Sequence, residues 1–340
     1  MSKYNFPKVD LHLHLDGSFK TETLFKLGQE RGIKFPGDTL QGYENYMLEK
    51  SNAKSVNDYL EMFEWPSAVL QDKVALAIIT EELINDLANQ GLRYAEIRFA
   101  PQLHTNKGLS QEEAVNAVLE GRRRALINNP KIKINIIACM MSFGDEKLNW
   151  DANMETIEIC HKLCSDEGLV AIDLAGNEGI KLSKFKALFD KINEYKLNMT
   201  CHAGDSQDWT TVEDALSFGT KRIGHGHHIY ENPELVRYAA KHKIALEICP
   251  TSNIQCKTRE SFERHPAKNL LEMGLLVTIN TDNMVMARTT LDQEYDHCLN
   301  EMGFEYNDLI KMNINSINCS FLKQEDKDEL IKELESNYKI

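Results

Sequence analysis

At 340 residues the chain is longer than one ordinary domain, yet within reach of a decorated α/β barrel. Apolar residues make up 42%, enough for a large core, and charged residues 27%, enough for a water-facing surface. Thirty-nine basic against 52 acidic side chains leave −13, a balance that argues against a nucleic-acid backbone or an anionic membrane as the main partner.

The N-terminal Met-Ser-Lys-Tyr-Asn-Phe-Pro-Lys lacks an apolar signal core, and no run approaches the ~18–20 residues of a membrane span. A soluble, cytoplasmic chain is therefore expected. Its eight cysteines do not read as a disulfide framework without a secretion signal. Cys160-His161-Lys162-Leu163-Cys164 lies in a helical pattern without a second ligand pair, so helix packing is expected there rather than metal binding.

Along the chain, strand, loop and helix alternate. Strands are expected at 8–15, 94–100, 133–141, 170–174, 198–202, 222–225, 245–249 and 276–280. Amphipathic stretches at 23–31, 74–90, 111–128, 154–167, 182–195, 211–218, 233–241 and 267–273 read as helices. Gly91, Gly168, Gly219 and Gly274 read as helix stops. Eight strand–helix units predict a (β/α)8 TIM-type barrel, and no G-x-G-x-x-G follows the first strand to favour a doubly wound sheet. With no Ser/Gly-rich linker, 1–340 reads as one barrel domain.

Two additions are expected. About eighty residues separate the first two strands, more than one crossover helix needs. Within them 55–66 starts like a capped helix and carries Leu60, Met62, Phe63 and Trp65. It reads either as a lid over the barrel mouth or as a peripheral helix packed on the barrel. Helices at 291–302, 305–316 and 326–338 extend the C-terminus.

The chemistry sits at strand ends. His12 and His14, at i and i+2, share one face of the first strand, while Leu11, Leu13 and Leu15 face the other way. His202, His225 and Asp282 lie at or just beyond the ends of strands five, six and eight. In a parallel barrel these ends meet on one face, giving a mixed N/O shell suited to one zinc ion. Such an ion lowers the pKa of bound water from ~15.7 toward ~7. Three His and one Asp leave room for that water, and His225 is better used beside the metal as base or electrostatic stabiliser. His227 and His228 fall beyond the strand end and read as surface or loop-packing residues. Asp205 reads as an acid facing substrate, or as a turn aspartate. Gly176 reads as a close-approach position for a ligand, or as a turn glycine.

At these residues the sequence resembles the adenosine/AMP deaminase family of metal-dependent amidohydrolases, with its adenosine deaminases the nearest likeness. The matching motifs are Lys8-Val9-Asp10-Leu11-His12-Leu13-His14-Leu15-Asp16-Gly17-Ser18, Ala171-Ile172-Asp173-Leu174-Ala175-Gly176, Cys201-His202-Ala203-Gly204, Arg222-Ile223-Gly224-His225-Gly226, Glu247-Ile248-Cys249-Pro250-Thr251-Ser252-Asn253 and Asn280-Thr281-Asp282. The resemblance implies one Zn2+ on His12, His14, His202 and Asp282. It implies deamination of adenosine, and of 2′-deoxyadenosine, to the inosine product and ammonia, as a step of purine metabolism. Activated water would attack C6 with help from His225 and Asp282, and the carboxyl at 205 would protonate N1. His14, Asp16, Gly176 and Asn283 would line the substrate, Asp16 at the ribose and Asn283 at N7. The partner implied is a small purine nucleoside, with the protein a monomer or weak homodimer.

Two positions depart from the family pattern. Asp205 stands where the motif is H-A-G-E, and withdrawing the acid by one methylene predicts slower turnover than with Glu at 205. Asn283 stands where some relatives carry Asp, and its amide can donate to N7. Two alternatives remain: adenine deaminase, which Asp16 disfavours because members usually carry Glu there, and a catalytically weakened purine-nucleoside-binding protein.

Overall fold

A computed structural model describes residues 3–52, 55–143 and 149–337. The strands are β1 (Lys8–His14), β2 (Leu92–Phe99), β3 (Lys133–Ser142), β4 (Leu169–Gly176), β5 (Cys201–Ala203), β6 (Arg222–His225), β7 (Ala245–Ile248) and β8 (Leu276–Ile279). Pairing is parallel and sequential within β1–β4 and within β5–β8. Backbone hydrogen bonds close both seams. Asp282 N–H donates to His12 O at 2.8 Å and His14 N–H to Asp282 O at 2.7 Å. Across the other seam, Ile172 N–H donates to Asn198 O and Thr200 N–H to Ile172 O, both at 3.0 Å. The two half-sheets therefore form one (β/α)8 barrel, as the alternating pattern predicts. The expected fifth strand, 198–202, is corrected: its first part only bridges to β4, and β5 itself runs Cys201–Ala203.

Five helices follow β1: α1 (Thr21–Glu30), α2 (Leu40–Lys50), α3 (Val56–Leu60), α4 (Glu64–Val69) and α5 (Lys73–Asn89). Then come α6 (Gln111–Asn128), α7 (Trp150–Leu163), α8 (Lys186–Glu194), α9 (Trp209–Ser217) and α10 (Pro233–Lys241), one after each of β2 to β6. The short α11 (Pro250–Gln255) and α12 (Ala267–Glu272) follow β7, and α13 (Leu291–Asn300), α14 (Tyr306–Cys319) and α15 (Gln324–Asn337) complete the chain. Local chemistry sets many of these ends. Asp72 accepts from the N–H groups of Val74 and Ala75 at the start of α5, and Gly91 ends that helix with φ +82°. Ser110 and Glu113 cap α6 reciprocally. The expected helix at 326–338 corresponds to α15, and Tyr338 lies outside the described residues.

The apolar core lies between the barrel wall and its helices. Leu11, Leu13 and Leu15 are fully buried in it. The strands are buried on both faces, so the inward positions are free to carry polar groups only where those groups pair with one another. Among the described residues no helix is long and apolar enough to cross a membrane.

Candidate active site

Strand alternation brings His12 and His14 into the barrel mouth, and the parallel ends of β5, β6 and β8 supply the rest. His14 Nε2 lies 3.3 Å from His202 Nε2. Asp282 Oδ1 is 3.4 Å from His12 Nε2 and 3.5 Å from His14 Nε2. His12 Nδ1 stands 2.9 Å from Glu247 Oε2 and donates to it, so the Nε2 lone pair points into the cluster, where it is buried and has no protein partner. Nitrogen lone pairs and a carboxylate crowded this closely need a cation between them. His12, His14, His202 and Asp282 thus fit a divalent metal on the chemistry of their donors. Burial lowers the His12 ring and holds the His14 ring well below the ordinary histidine range.

The backbone contributes as well. His225 and Asp282 adopt φ +62° and +60°, a left-handed conformation that non-glycine residues rarely take and that costs ~1–3 kcal/mol each. At Gly224 a Cβ would stand 3.0 Å from His12 Cε1 and 3.2 Å from His202 Cα, so a side chain there would push the rings apart.

Beneath the cluster lies a closed set of buried charges. Arg98 spans two carboxylates, Nη1 to Asp173 at 2.9 Å and Nη2 to Glu247 at 2.7 Å. Asp173 Oδ2 in turn lies 3.0 Å from His202 Nδ1, a charge contact off the hydrogen-bond direction. Arg222 pairs with Glu247 from the other side at 2.7 Å and with Glu96 at 2.6 Å. Burial would raise the Glu247 carboxyl, but the two guanidinium groups hold it well below the carboxylate range. Both histidines therefore face ionised carboxylates at Nδ1, which turns Nε2 toward the metal position.

Beside the cluster, Asp205 is nearly fully buried. Its Oδ1 lies 2.7 Å from Asn253 Nδ2, 3.0 Å from His227 Nε2 and 2.9 Å from Thr258 Oγ1. Burial opposes ionisation, but His225 and the donors from His227 and Thr258 prevail and hold Asp205 below the carboxylate range. Of the two readings for His227, surface or loop packing, the surface one is corrected here. The left-handed Gly226 (φ +70°) turns the chain inward after β6, so His227 is fully buried against Asp205, while His228 is paired with Glu231. Asn253 Nδ2 also reaches His225 Nδ1 at 3.1 Å. The loop at 205–207 is tied down by Glu178, whose Oε2 takes the N–H groups of Asp205, Ser206 and Gln207 at 2.9–3.3 Å. Burial pushes the Glu178 carboxyl up to about 7.

An inner cavity of about 70 Å³ touches His14, His202, Asp205, His225, Asp282 and Asn283. An adjoining cavity of about 410 Å³ is bounded by His14, Asp16 and Gly176, with Leu60, Phe63 and Glu64 from the insert as its cover. The 55–66 tract is thus α3, a 3₁₀ turn and the start of α4 laid across the mouth. Leu60 and Phe63 face the cavity, whereas Met62 is buried in the core and Trp65 packs against it. Gly176 has φ +104°, and a Cβ there would come within 2.3 Å of Ser142 O. Asp16 Oδ1 and Asn283 Oδ1 are buried without a hydrogen-bond partner. Burial raises the Asp16 carboxyl to about 6.

All nine site residues singled out in the sequence border these two cavities or the ligand cluster. Glu178, Asn253, His227 and Arg98 were not among them. Arg98 reads as a strand residue with an unremarkable period. Asn253 sits in a turn after β7, and only the fold reveals what it faces.

The family described as adenosine deaminase matches residues 7–337. Adenosine deaminase of Haemophilus ducreyi is 36% identical over 97% of this chain and 96% of its own length. That of Clostridium botulinum is 34% identical over 97% of each. Among solved structures, adenine deaminase from Arthrobacter aurescens superposes with TM-score 0.89 at 25% identity, covering 98% of this chain and 99% of its own. An amidohydrolase from Burkhoderia ambifaria with bound Zn shares the fold at TM-score 0.83 and 22% identity, over 97% and 93%. Matched in sequence from end to end and built around a cluster of metal-type donors, the chain belongs to the adenosine deaminase family of hydrolases.

Proposed function

We propose that residues 1–340 act as one zinc-dependent deaminase domain in the cytoplasm, converting adenosine and 2′-deoxyadenosine to inosine and 2′-deoxyinosine with release of ammonia. The observation that carries this reading is the unpartnered His12 Nε2, set among His14, His202 and Asp282 on the floor of a cavity that also holds Asp205 and Asp16. Zn2+ bound by those four residues would supply a polarised, readily ionised water.

The chain's own groups would do the rest. Asp282 turns Oδ1 to the ligand cluster and offers its second oxygen to the proton of the attacking water. His225 accepts from Asn253 at Nδ1, which leaves Nε2 to carry a hydrogen and donate to the oxygen adding at C6. Asp205, its Oδ1 taken by three donors, would present Oδ2 to purine N1 as the acid. The ring then accepts the electron pair from C6–O bond formation; when that pair returns, the amino group takes the proton held by Asp282, the C6–N bond breaks as ammonia departs, and the C6 hydroxyl proton returns to Asp205.

Asp16 accepts from a ribose hydroxyl, Asn283 meets N7, and the Gly176 backbone meets the purine edge beside His14. The wall formed by Asp16, Glu61 and Glu64 carries carboxylates, with Lys50 paired to Glu61, which favours a neutral nucleoside over a 5′-phosphate. Initial rates on adenosine, adenine and adenosine 5′-monophosphate test this choice. Adenosine is expected to lead by at least ~10²-fold in kcat/KM. A preference for adenine would move the chain to base deamination, and no turnover of any of the three would leave only a nucleoside-binding role.

A further inference from the structure

We infer that Arg259 and His227 form a relay that keeps the acid proton of Asp205 on its cavity-facing oxygen, making both of them positioning residues for the proton delivered to purine N1. This deepens the deaminase reading and rests on it for its catalytic consequence.

Arg259 Nε donates to His227 Nδ1 at 2.8 Å. An arginine nitrogen can only donate, so Nδ1 must be the bare nitrogen and Nε2 must carry the hydrogen. Nε2 points at Asp205 Oδ1, 3.0 Å away. A parallel chain enters from the other side. Ala267 N–H donates to His265 Nδ1 at 3.2 Å, His265 Nε2 then reaches Asn253 Oδ1 at 3.2 Å, and Asn253 Nδ2 is left to donate to the same Asp205 oxygen at 2.7 Å. Thr258 Oγ1 is the third neighbour of Oδ1, at 2.9 Å. No described residue bonds Oδ2, and Asp205 borders the inner cavity.

The consequence follows from proton positions. A carboxylic acid holds its hydrogen on one oxygen, and an oxygen that already receives donors cannot also present an O–H to them without collision. With Oδ1 occupied, any proton the carboxyl takes up resides on Oδ2 and faces the purine. If His227 took its other tautomer, Nε2 would become an acceptor 3.0 Å from Oδ1 and would draw the proton to the wrong side of the carboxyl. Arg259 excludes that tautomer. Burial keeps the His227 ring neutral, at about 3, so the relay works by hydrogen-bond direction rather than by a second charge. A short acid that cannot swing far is the kind that benefits from such a constraint.

The test combines a tautomer measurement with kinetics on the full-length zinc-loaded protein. Nitrogen-15 NMR of histidine-labelled protein, with His227 assigned by its loss in His227→Gln, is expected to show Nε2–H in the wild type. Arg259→Met should populate the Nδ1–H form, lower kcat for adenosine at least ~10-fold and move KM less than ~3-fold. Arg259→Lys, whose ammonium can donate to Nδ1, should restore both. An Nδ1–H tautomer in the wild type overturns the relay, as does an Arg259→Met protein with unchanged tautomer and kcat. So does a loss that Arg259→Lys does not repair. The NMR reading needs no substrate, so a wild type inactive on adenosine would sink the deaminase reading while the tautomer still decides the relay.

Discussion

Asp205 concentrates the tension of the site at the scale of one residue. Its carboxyl is shorter than the glutamate of the family motif, and its neighbours favour the ionised form that an acid must give up. Restoring the methylene moves the acid toward substrate by over ~1 Å, a distance that can carry ~10²-fold in rate. The inner cavity of about 70 Å³ borders Asp205. Asp205→Glu is therefore expected to raise kcat by ~10-fold or more with zinc content unchanged, as steady-state rates and metal analysis would show; equal or lower turnover would mean that the shorter acid is already well placed. How much could be read in advance differs from residue to residue. His12 and His14 announced themselves through the two-residue period of a strand, and Asp282 through its place after an apolar run. His227 did not, because the run Gly224-His225-Gly226-His227-His228 gives no hint that Gly226 turns the chain inward. The strain at His225 and Asp282 was equally invisible, since left-handed backbone at a non-glycine residue has no compositional signature.

At the scale of elements, the insert between β1 and β2 lines the larger cavity with Leu60, Phe63 and Glu64. The capped start at Ser55, whose Oγ accepts from Asp58 N–H at 3.2 Å, was legible as a helix beginning. A lid over the mouth was one of the two readings it allowed; which side chains would face the cavity was not legible, because the helix breaks into α3, a 3₁₀ turn and α4, and this break sends Leu60 and Phe63 inward while Met62 goes to the core. Phe63 is an apolar cover with no reacting atom, so it should contribute to ground-state and transition-state binding alike. Phe63→Ala is expected to raise KM for adenosine by ~10-fold with kcat within ~3-fold, reflecting the ~1.5–3 kcal/mol of a buried aromatic face. A change confined to kcat would instead give the lid a part in the chemistry. The expected bounds match β6 and fall within one residue of β3, while β2 begins two residues earlier than expected. They were misread at β5, where pairing to β4 is reduced to a single bridge and the sequence has no way to show the seam.

For the molecule as a whole, the alternation of strand and helix was enough to predict the barrel, because each parallel strand needs a crossover and each helix buries one face on the sheet. Hidden from that pattern was the charged layer inside it. Arg98, Arg222, Glu96, Asp173 and Glu247 join β1, β2, β4, β6 and β7 beneath the metal position. Removing one partner would strand the others in a dry interior, which couples the stability of the barrel to the geometry of its site. Stability should also depend on pH through a buried neutral histidine. His104 donates its ring to Leu70 O at 2.8 Å, and burial lowers its pKa to about 4 from the usual 6.5. Below 6.5 the unfolded chain takes up a proton that the folded one refuses until about 4, so stability must fall as pH drops through that window. The gap corresponds to about 3 kcal/mol at ~1.4 kcal/mol per pH unit. Denaturant melts at pH 7 and 4.5 should show a smaller loss for His104→Gln than for the wild type; an identical loss in both would place the acid sensitivity elsewhere.

All of these scales meet in the four donors His12, His14, His202 and Asp282, and their purpose can be read in one titration. Protein stripped with a chelator and dialysed should turn over no adenosine. Zinc added back stepwise should restore inosine formation in proportion to metal bound, up to one equivalent per chain, and His12→Asn should abolish both binding and recovery. Full adenosine turnover by metal-free protein, or a stoichiometry unaffected by His12→Asn, would contradict the assignment of this cluster as the catalytic metal centre.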